Sequence, residues 1–242
     1  MRRSFASAAA LLAAIFLGSV ADAQTVDEIV AKNLQAKGGA EKWKSINAVK
    51  MTGKVSLQGM ELPLIVYAKR PNMSRQEITI QDKKIVQAFD GTTPWMINPM
   101  MGSETAQEIP GPQGDMMKSD ADFDGALMDW KSKGHTVELV GNEKLEGKPV
   151  HHLKVTKKSG HVQHFYLDAD SGIELKTTTE IDAGGTKQVI ESEMSNYQTV
   201  EGVMLPHTIK QMLNGTQVVQ MTIDKVEINP AMEDTLFKMP AK

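Results

Sequence analysis

The chain has 242 residues, a formal net charge of −3 at pH 7 and no cysteine. This near-neutral balance gives no electrostatic reason to expect a nucleic-acid partner, and without cysteine there can be neither a disulfide nor a lipid-modified cysteine. A chain of this length can bury a sizeable core as one domain. We therefore expect a monomer that binds no nucleic acid.

Residues 1–23 have the pattern of a secretory signal peptide. Arg2 and Arg3 form a basic start, an apolar core follows from Ala8 to Leu17, and Ala21-Asp22-Ala23 is a small-residue cleavage site. The apolar run is shorter than the roughly 18 residues that a membrane span needs. The pattern predicts export of a mature chain that begins at Gln24.

The mature chain is predicted to open with a helix. Thr25 and Glu28 have the spacing of a capping box, and Lys37-Gly38-Gly39 supplies a glycine where a left-handed helix end prefers one. A second short turn, from Ala40 to Ile46, carries Trp43. We expect this indole to be a packing anchor that seats the turn on the rest of the fold.

From Ala48 onward the apolar residues recur at every second position, as in half-buried strands. The stretch from Tyr67 to Pro99 indicates three or four consecutive strands, with Asp90-Gly91 as a tight hairpin turn. Gln58-Gly59 is another turn signal between two alternating runs. In the second half of the chain, turn signals at intervals of about 12 to 18 residues indicate an antiparallel meander: Glu146-Gly147, Ser159-Gly160, Ser171-Gly172, Gly184-Gly185, Glu201-Gly202 and Asn214-Gly215.

The strand count decides the fold class. About eleven strands are more than a twisted open sheet usually holds without curling. We predict a mainly β (α+β) fold in which a curved antiparallel sheet forms an incomplete β-barrel, covered by short helices.

The stretch from Met100 to Lys133 interrupts the strand pattern. It contains Pro110-Gly111-Pro112, and the residues from Ala121 to Trp130 are predicted to form a helix. Six methionines lie in and beside it: Met96, Met100, Met101, Met116, Met117 and Met128. Because methionine is flexible and polarizable, the cluster suits a cover over an apolar cavity, with core filling as the alternative.

Two motifs carry a resemblance to a known family. Lys69-Arg70-Pro71-Asn72, followed by the segment DGTTPWMINP from Asp90 to Pro99, resembles the LolA family of periplasmic lipoprotein carriers, which has a K-R-P-N turn before a D-G-x-x-x-W-x-x-N-P hairpin. Later segments resemble the wider LolA/LolB-like superfamily of outer-membrane lipoprotein-sorting proteins: Tyr166-Leu167-Asp168, Leu205-Pro206 and the stretch from Asn229 to Pro240.

The resemblance implies one domain over residues 24–242, located in the periplasm, that holds the acyl chains of a lipoprotein in transit. The implied partners are an inner-membrane release complex and an outer-membrane receptor. Arg70 aligns with the family arginine that holds the helical cover closed through hydrogen bonds to its backbone carbonyls. Trp95 is expected in the cavity wall or the core, and Met96, Met100 and Met101 at the lid or ligand. Structural roles are expected for the other motif residues: Lys69, Pro71, Asn72, Asp90, Gly91, Asn98 and Pro99.

Other classes of function remain as alternatives. A lipid-binding or stress-sensing module can use the same fold, and an enzyme is a third class, although the chain has neither a G-x-S-x-G elbow nor an H-E-x-x-H motif. We expect no catalytic residue and no cofactor.

Two groups of residues invite a metal-site hypothesis. Histidines cluster at His151, His152, His161 and His164, where zinc is the alternative to solvated or half-buried side chains. Asp120, Asp122 and Asp124 match the first half of a calcium-binding loop, but Lys131 stands where the loop needs a glutamate. We interpret the aspartates as the cap of the predicted helix and expect no metal.

Overall fold

The computed structural model describes residues 24–57, 59–183 and 186–241. The predicted signal peptide, residue 58 of the first predicted hairpin turn and both glycines of the turn at 184–185 lie outside these ranges. The signal peptide therefore stays a prediction.

Three helices and thirteen strands form the described part of the chain. The helices are α1 (Val26–Ala36), α2 (Ala40–Lys44) and α3 (Gly111–Asp120), with short 3₁₀ turns at Pro99–Met101 and Asp234–Leu236. The strands are β1 (Ala48–Leu57), β2 (Met60–Lys69), β3 (Met73–Ile80), β4 (Lys83–Phe89), β5 (Pro94–Asn98), β6 (Ser103–Glu108), β7 (Thr136–Leu145), β8 (Lys148–Thr156), β9 (Val162–Asp168), β10 (Glu174–Ala183), β11 (Thr186–Val200), β12 (Val203–Leu213) and β13 (Thr216–Ile228).

All thirteen strands belong to one antiparallel sheet in the order β6-β5-β4-β3-β2-β1-β13-β12-β11-β10-β9-β8-β7. The two edge strands, β6 and β7, do not pair with each other, so the sheet does not close. The predicted mainly β fold with an incomplete barrel is confirmed. There are thirteen strands instead of about eleven, and one that the pattern did not indicate is β6, which has a single buried residue, Ala106.

The first and last strands pair at the centre of the sheet and join its two halves. The Asn229 side chain fastens this seam, because its Oδ1 accepts hydrogen bonds from the backbone nitrogens of Asn47, at 2.6 Å, and Ala48, at 3.2 Å. At Gly53 the register between β1 and β13 shifts, and a Cβ there would lie 2.0 Å from the Thr222 carbonyl oxygen. The seam therefore requires glycine at this position.

The predicted capping box begins α1. The Thr25 hydroxyl accepts from the Glu28 nitrogen at 3.3 Å, and the Glu28 carboxylate accepts from the Thr25 nitrogen at 2.8 Å. Ile29 and Val30 are buried against β8 and β9, where Phe165 belongs to the same core cluster. The helix thus covers part of one face of the sheet, which we call the inner face.

Trp43 is a packing anchor, as predicted. Its ring packs against Ile46, Val49 and Val203 on the inner face, and its Nε1 donates to the Lys37 carbonyl oxygen at 3.0 Å. This contact fixes α2 beside the end of α1.

The C-terminal tail covers the opposite, outer face. Trp95 has no exposed surface and donates from Nε1 to the Phe237 carbonyl oxygen at 2.8 Å. Arg75 donates to the Leu236 carbonyl oxygen at 2.9 Å and places its guanidinium over the Trp95 ring. The sheet is therefore covered on both faces, by helices on one and by the tail on the other.

The helix predicted from Ala121 to Trp130 is wrong. The helix of this region is α3, which ends at Asp120, and turns follow. Gly125 and Asp129 have φ values of 72° and 52°, which an α-helix interior does not accommodate. Apolar residues in this segment are buried without helical spacing because they fill gaps between α1 and the sheet.

Replacement of the buried indole should weaken the fold strongly. Trp95→Ala removes a fully buried ring and its hydrogen bond to the tail, so we expect the free energy of unfolding to fall by about 3–5 kcal/mol. Urea denaturation measures it. Met101→Ala, at a side chain that is 80% exposed, is the control and should stay within about 0.5 kcal/mol of the parent. Equal effects of the two variants would contradict the burial of Trp95.

Candidate functional site

A cavity of about 410 Å³ lies between the inner face and α3. Its size lies in the range of about 300–1,000 Å³ that small-molecule sites occupy. The wall is mostly apolar and contains a few amides. Strand residues in it include Val55, Leu57, Val66, Ile78, Val219, Met221, Gln76, Gln87 and Gln211, and α3 contributes Met116 and Met117.

Strand register brings these side chains to one face. Val66 pairs with Gln76, Gln76 with Gln87, and Gln87 with Met96, so all four point the same way across β2 to β5. The next row, which includes Trp95, points to the outer face.

The loosest wall of this cavity is α3. Gly114 is its one buried residue, at a position where a Cβ would lie 2.0 Å from the Ile109 carbonyl oxygen. Met116 and Met117 are half-buried on the cavity, and most other residues of the helix are exposed. Little apolar surface thus attaches α3, and Lys157 holds its end through hydrogen bonds to Ser119.

The turns that follow α3 are fixed much more firmly. We call residues 111–135, which run from α3 to the start of β7, the cover. In its second half, Ala126, Leu127 and Met128 are buried, and the first two share a core cluster with Ile29 of α1. The cover thus has a loose helical half and an anchored half.

Arg70, at the end of β2, holds the anchored half of the cover. Its Nη1 donates to Asp124 Oδ2 at 2.7 Å, and Nη2 donates to the other oxygen of that carboxylate. The guanidinium also donates to the carbonyl oxygens of Ile46, at 2.7 Å, and Trp43, at 3.0 Å. A planar group with five donors is suited to this arrangement, and the Phe123 ring lies against it at 4.7 Å.

Two further ion pairs hold the same segment. Lys133 Nζ donates to Asp122 at 2.7 Å and to the Gly125 carbonyl oxygen at 2.8 Å, while Lys131 pairs with Asp27 of α1 at 2.6 Å. The aspartates of the calcium-like sequence are therefore occupied by basic side chains. Within residues 24–241, leaving out the few positions not described, no group of three or more acidic or histidine side chains is arranged to hold a metal ion.

The Arg70 guanidinium beside Asp124 holds the pKa of that carboxyl below its usual value of about 3.9. Both side chains are mostly buried, at 23% and 20% exposed. The folded chain thus binds a proton at Asp124 less readily than the unfolded chain, so this contact stabilises the fold above the ordinary pKa.

The structure distributes the sequence-predicted site residues over several places. Arg70 contacts the cover through the Asp124 carboxylate. The carbonyls that it binds belong to Trp43 of α2 and to Ile46, two residues before β1. Met96 points to the inner face. Trp95 lies in the core of the outer face, away from the cavity, and Met100 and Met101 are exposed at the turn between β5 and β6.

Several motif residues shape turns or hold the tail. Lys69 donates to the Met232 carbonyl oxygen and pairs with Asp234, and Pro71 and Asn72 form the exposed turn after it. Asp90 Oδ1 accepts from the nitrogens of Thr92 and Thr93, beside Gly91 with a φ of 94°. Asn98 Oδ1 accepts from the Met100 nitrogen, and Pro99 begins that 3₁₀ turn.

The cavity methionines come from α3, not from the hairpin. Alternation in β1 and β2 indicates that Val55, Leu57 and Val66 share a face. Which face carries the cavity follows only from the position of α3.

The histidine cluster divides between the two faces. His152 Nε2 and His164 Nδ1 are hydrogen-bonded at 2.7 Å on the outer face, and His152 Nδ1 lies 2.6 Å from a Glu143 oxygen. His151 points to the inner face and bonds to Asn142. Burial lowers the pKa of His164. Both ring nitrogens of His152 are thus used in hydrogen bonds, one to the His164 ring and one to the Glu143 carboxylate.

Comparison with solved structures finds the same fold in several proteins. A LolA superfamily protein from Nitrosomonas europaea superposes with a TM-score of 0.60 at 14% identity, over 89% of this chain and 98% of that one. A putative outer membrane lipoprotein-sorting protein domain from Vibrio parahaemolyticus gives 0.57 at 15% identity, over 87% and 94%. A DUF1329 family protein from Desulfovibrio piger gives 0.54 at 12% identity, over 88% and 97%.

No protein-family model matches the chain, and no curated protein matches it. None of the helices in the described part of the chain has the length and apolar character that a membrane crossing requires. The structural matches agree with the resemblance that the K-R-P-N and D-G-x-x-x-W motifs indicate. The fold of this chain is the fold of the LolA superfamily.

Loss of the arginine should release the anchored half of the cover. Arg70→Leu leaves Asp124 and two carbonyl groups without their donors, and we expect residues 121–135 to lose about 1.5–3 kcal/mol of protection in hydrogen exchange. Lys44→Ala breaks an exposed ion pair to Asp129 in the same segment and should cost less than about 1 kcal/mol. Similar losses in both variants would show that Arg70 is not a special anchor.

The same contact predicts a pH dependence. Because the pKa of Asp124 is lowered in the folded chain, its contribution is complete above about pH 4 and is lost as the pH falls below that value. The denaturation midpoint of the parent should therefore fall more steeply in this acid range than that of Asp124→Asn. Parallel profiles of the two proteins in denaturant titrations across this range would contradict the prediction.

Proposed function

We propose that this protein is a periplasmic carrier that binds the acyl chains of lipoproteins in the cavity beneath α3. The observation that supports it best is an apolar cavity between a curved sheet and a helix that is attached by little buried surface. Export by the predicted signal peptide would bring the chain to the compartment where such carriers work.

An acyl chain gains from this environment because each buried CH₂ contributes about 0.8 kcal/mol. Val55, Val66 and Ile78 offer branched side chains along the sheet, and the flexible Met116 and Met117 can adapt to the ligand on the other side. Such a wall suits a hydrocarbon chain without demanding one exact shape.

In this proposal the two halves of the cover have different tasks: one half moves during loading and release, and the other stays in place. α3 lifts to admit the chain, while Arg70 and the buried Leu127 keep the second half on the sheet. If the whole cover opened, the core cluster around Ile29 would be exposed, and the free-energy cost would be much larger than for movement of α3 alone. Delivery then requires a partner that displaces α3, and the inner-membrane complex and outer-membrane receptor are the partners we propose.

A second candidate is a lipid-binding or stress-sensing module with the same cavity. The amides of Gln76, Gln87 and Gln211 favour it, since they give the wall polar points that a plain hydrocarbon does not use. The two functions differ in whether the bound molecule is handed to another protein. No part of either proposal requires a catalytic residue.

The cavity can be tested by filling it. Ile78→Trp places an indole in the cavity, whereas Thr79→Trp places it on the other face of the same strand and is the matched control. We expect native mass spectrometry of the mature protein, purified from its own periplasm, to show acylated ligand on the parent and the control. Ile78→Trp should retain less than about a tenth of it, since an occupied cavity excludes the chain.

The outcomes separate the candidates. Acylated peptide or lipoprotein on the parent supports the carrier, and free phospholipid or fatty acid supports the lipid-binding module. Equal occupancy in Ile78→Trp and the parent would place the ligand elsewhere and overturn both.

A further inference from the structure

A second cavity, of about 280 Å³, lies beneath the end of α1. Its walls are α1, the cover and the strands β9 and β10. Asp120, the last residue of α3, lines both this cavity and the larger one. The two spaces are therefore neighbours.

An unpartnered acceptor lines this smaller cavity. Asn33 is completely buried, and its Nδ2 donates to the Gly172 carbonyl oxygen at 2.8 Å. Since a carbonyl can only accept, this bond fixes the orientation of the amide and leaves Oδ1 without a partner within the described ranges. A buried acceptor left unpaired is unfavourable, so a ligand that donates to it would remove this cost.

The cavity wall also carries several oxygen acceptors and two lysines, Lys37 and Lys157. Glu174 lies beside the start of β10, where burial raises the pKa of its carboxyl and Lys37 opposes that effect. The remaining carboxylates are already engaged: Asp124 by Arg70 and Asp122 by Lys133. Lys157 donates to Ser119. Asn33 and Glu174, with the amide of Gln163, are thus the acceptors available to a ligand.

We propose that this cavity is a subsite for the polar head of the bound amphiphile, and that it selects heads with N–H donors, amides or ammonium groups, over carboxylates and phosphates. This rests on the proposed function, because the acyl chain must lie in the larger cavity. The head then passes Asp120 and donates to Asn33 Oδ1 and to Glu174.

An anionic head meets the opposite conditions. It has no proton for Asn33 Oδ1, and it would bring a negative charge towards Glu174. Of the two lysines in the wall, Lys157 is engaged by Ser119 and Asp120, and Lys37 lies over the Trp43 ring. A hydrogen bond to a charged group contributes about 1.5–3 kcal/mol, and about 1.4 kcal/mol is tenfold in affinity. Amphiphiles of one chain length should therefore differ by about tenfold or more according to their heads.

The test is competition for a fluorescent acyl probe on the purified mature protein. The competitors are an alkylamine, a primary alkyl amide and a fatty acid with identical chains. We expect the amine and the amide to displace the probe at concentrations about tenfold lower than the acid. If only the amine is preferred over the acid, the subsite selects an ammonium group. If the amine and the amide are preferred equally, it selects any N–H donor.

The variant Glu174→Gln keeps the side-chain size and removes the charge. It should reduce the advantage of the amine over the acid by about tenfold and leave the amide nearly unchanged. Glu180→Gln is the control, because this exposed residue of the same strand points away from the cavity and pairs with Lys187. It should behave as the parent does.

The possible failures are distinguishable. If all three competitors bind equally, or the acid binds best, the head subsite is wrong while the acyl cavity stands. An unchanged amine-to-acid ratio in Glu174→Gln also overturns the subsite. If neither the probe nor any competitor binds, the proposed acyl-binding function fails first, and the subsite fails with it.

Discussion

The bidentate contact between Arg70 and Asp124 is the interaction on which the position of the cover depends. It stands at the end of β2, where two successive residues serve opposite faces of the sheet. Lys69 binds the C-terminal tail through the Met232 carbonyl oxygen and Asp234, and Arg70 binds the cover and the α2 region. Because strand side chains alternate, one short motif can fasten both layers. A change in the path of β2 would therefore disturb both faces together.

The cover combines two levels of attachment within 25 residues of chain, from 111 to 135. Its turns bury Ala126, Leu127 and Met128 and are held by four ion pairs, whereas α3 buries one glycine, rests two methionines on a cavity and is contacted near its end by Lys157. Local stability follows buried apolar area, so opening should begin at α3. This division lets the protein expose a binding cavity while the core cluster around α1 stays intact.

The two cavities differ in chemistry as well as in position. The larger one is bounded mainly by branched aliphatic side chains and methionines, with a few amides, and the smaller one has a larger share of polar groups, among them Asn33 and Glu174. An amphiphile has the same division within one molecule. The order of the cavities along the inner face, with Asp120 between them, matches the order of chain and head in such a ligand.

The local features could be predicted from residue order alone: the capping box at Thr25, the hairpin turns, the alternation of β1 and β2, and the Lys69-Arg70 turn that indicated the fold. These depend on residues within a few positions of one another, so spacing and turn chemistry carry them. Three features became visible only in the folded chain: Trp95 lies under the tail while Met96 faces inward, the helix of the cover ends at Asp120, and Asn33 is left with a free acceptor. Arg70 and Asp124 are 54 positions apart, and Asn33 and Gly172 are 139 apart. Such pairs are fixed by strand register and by the path of the cover across the sheet, which no local spacing encodes.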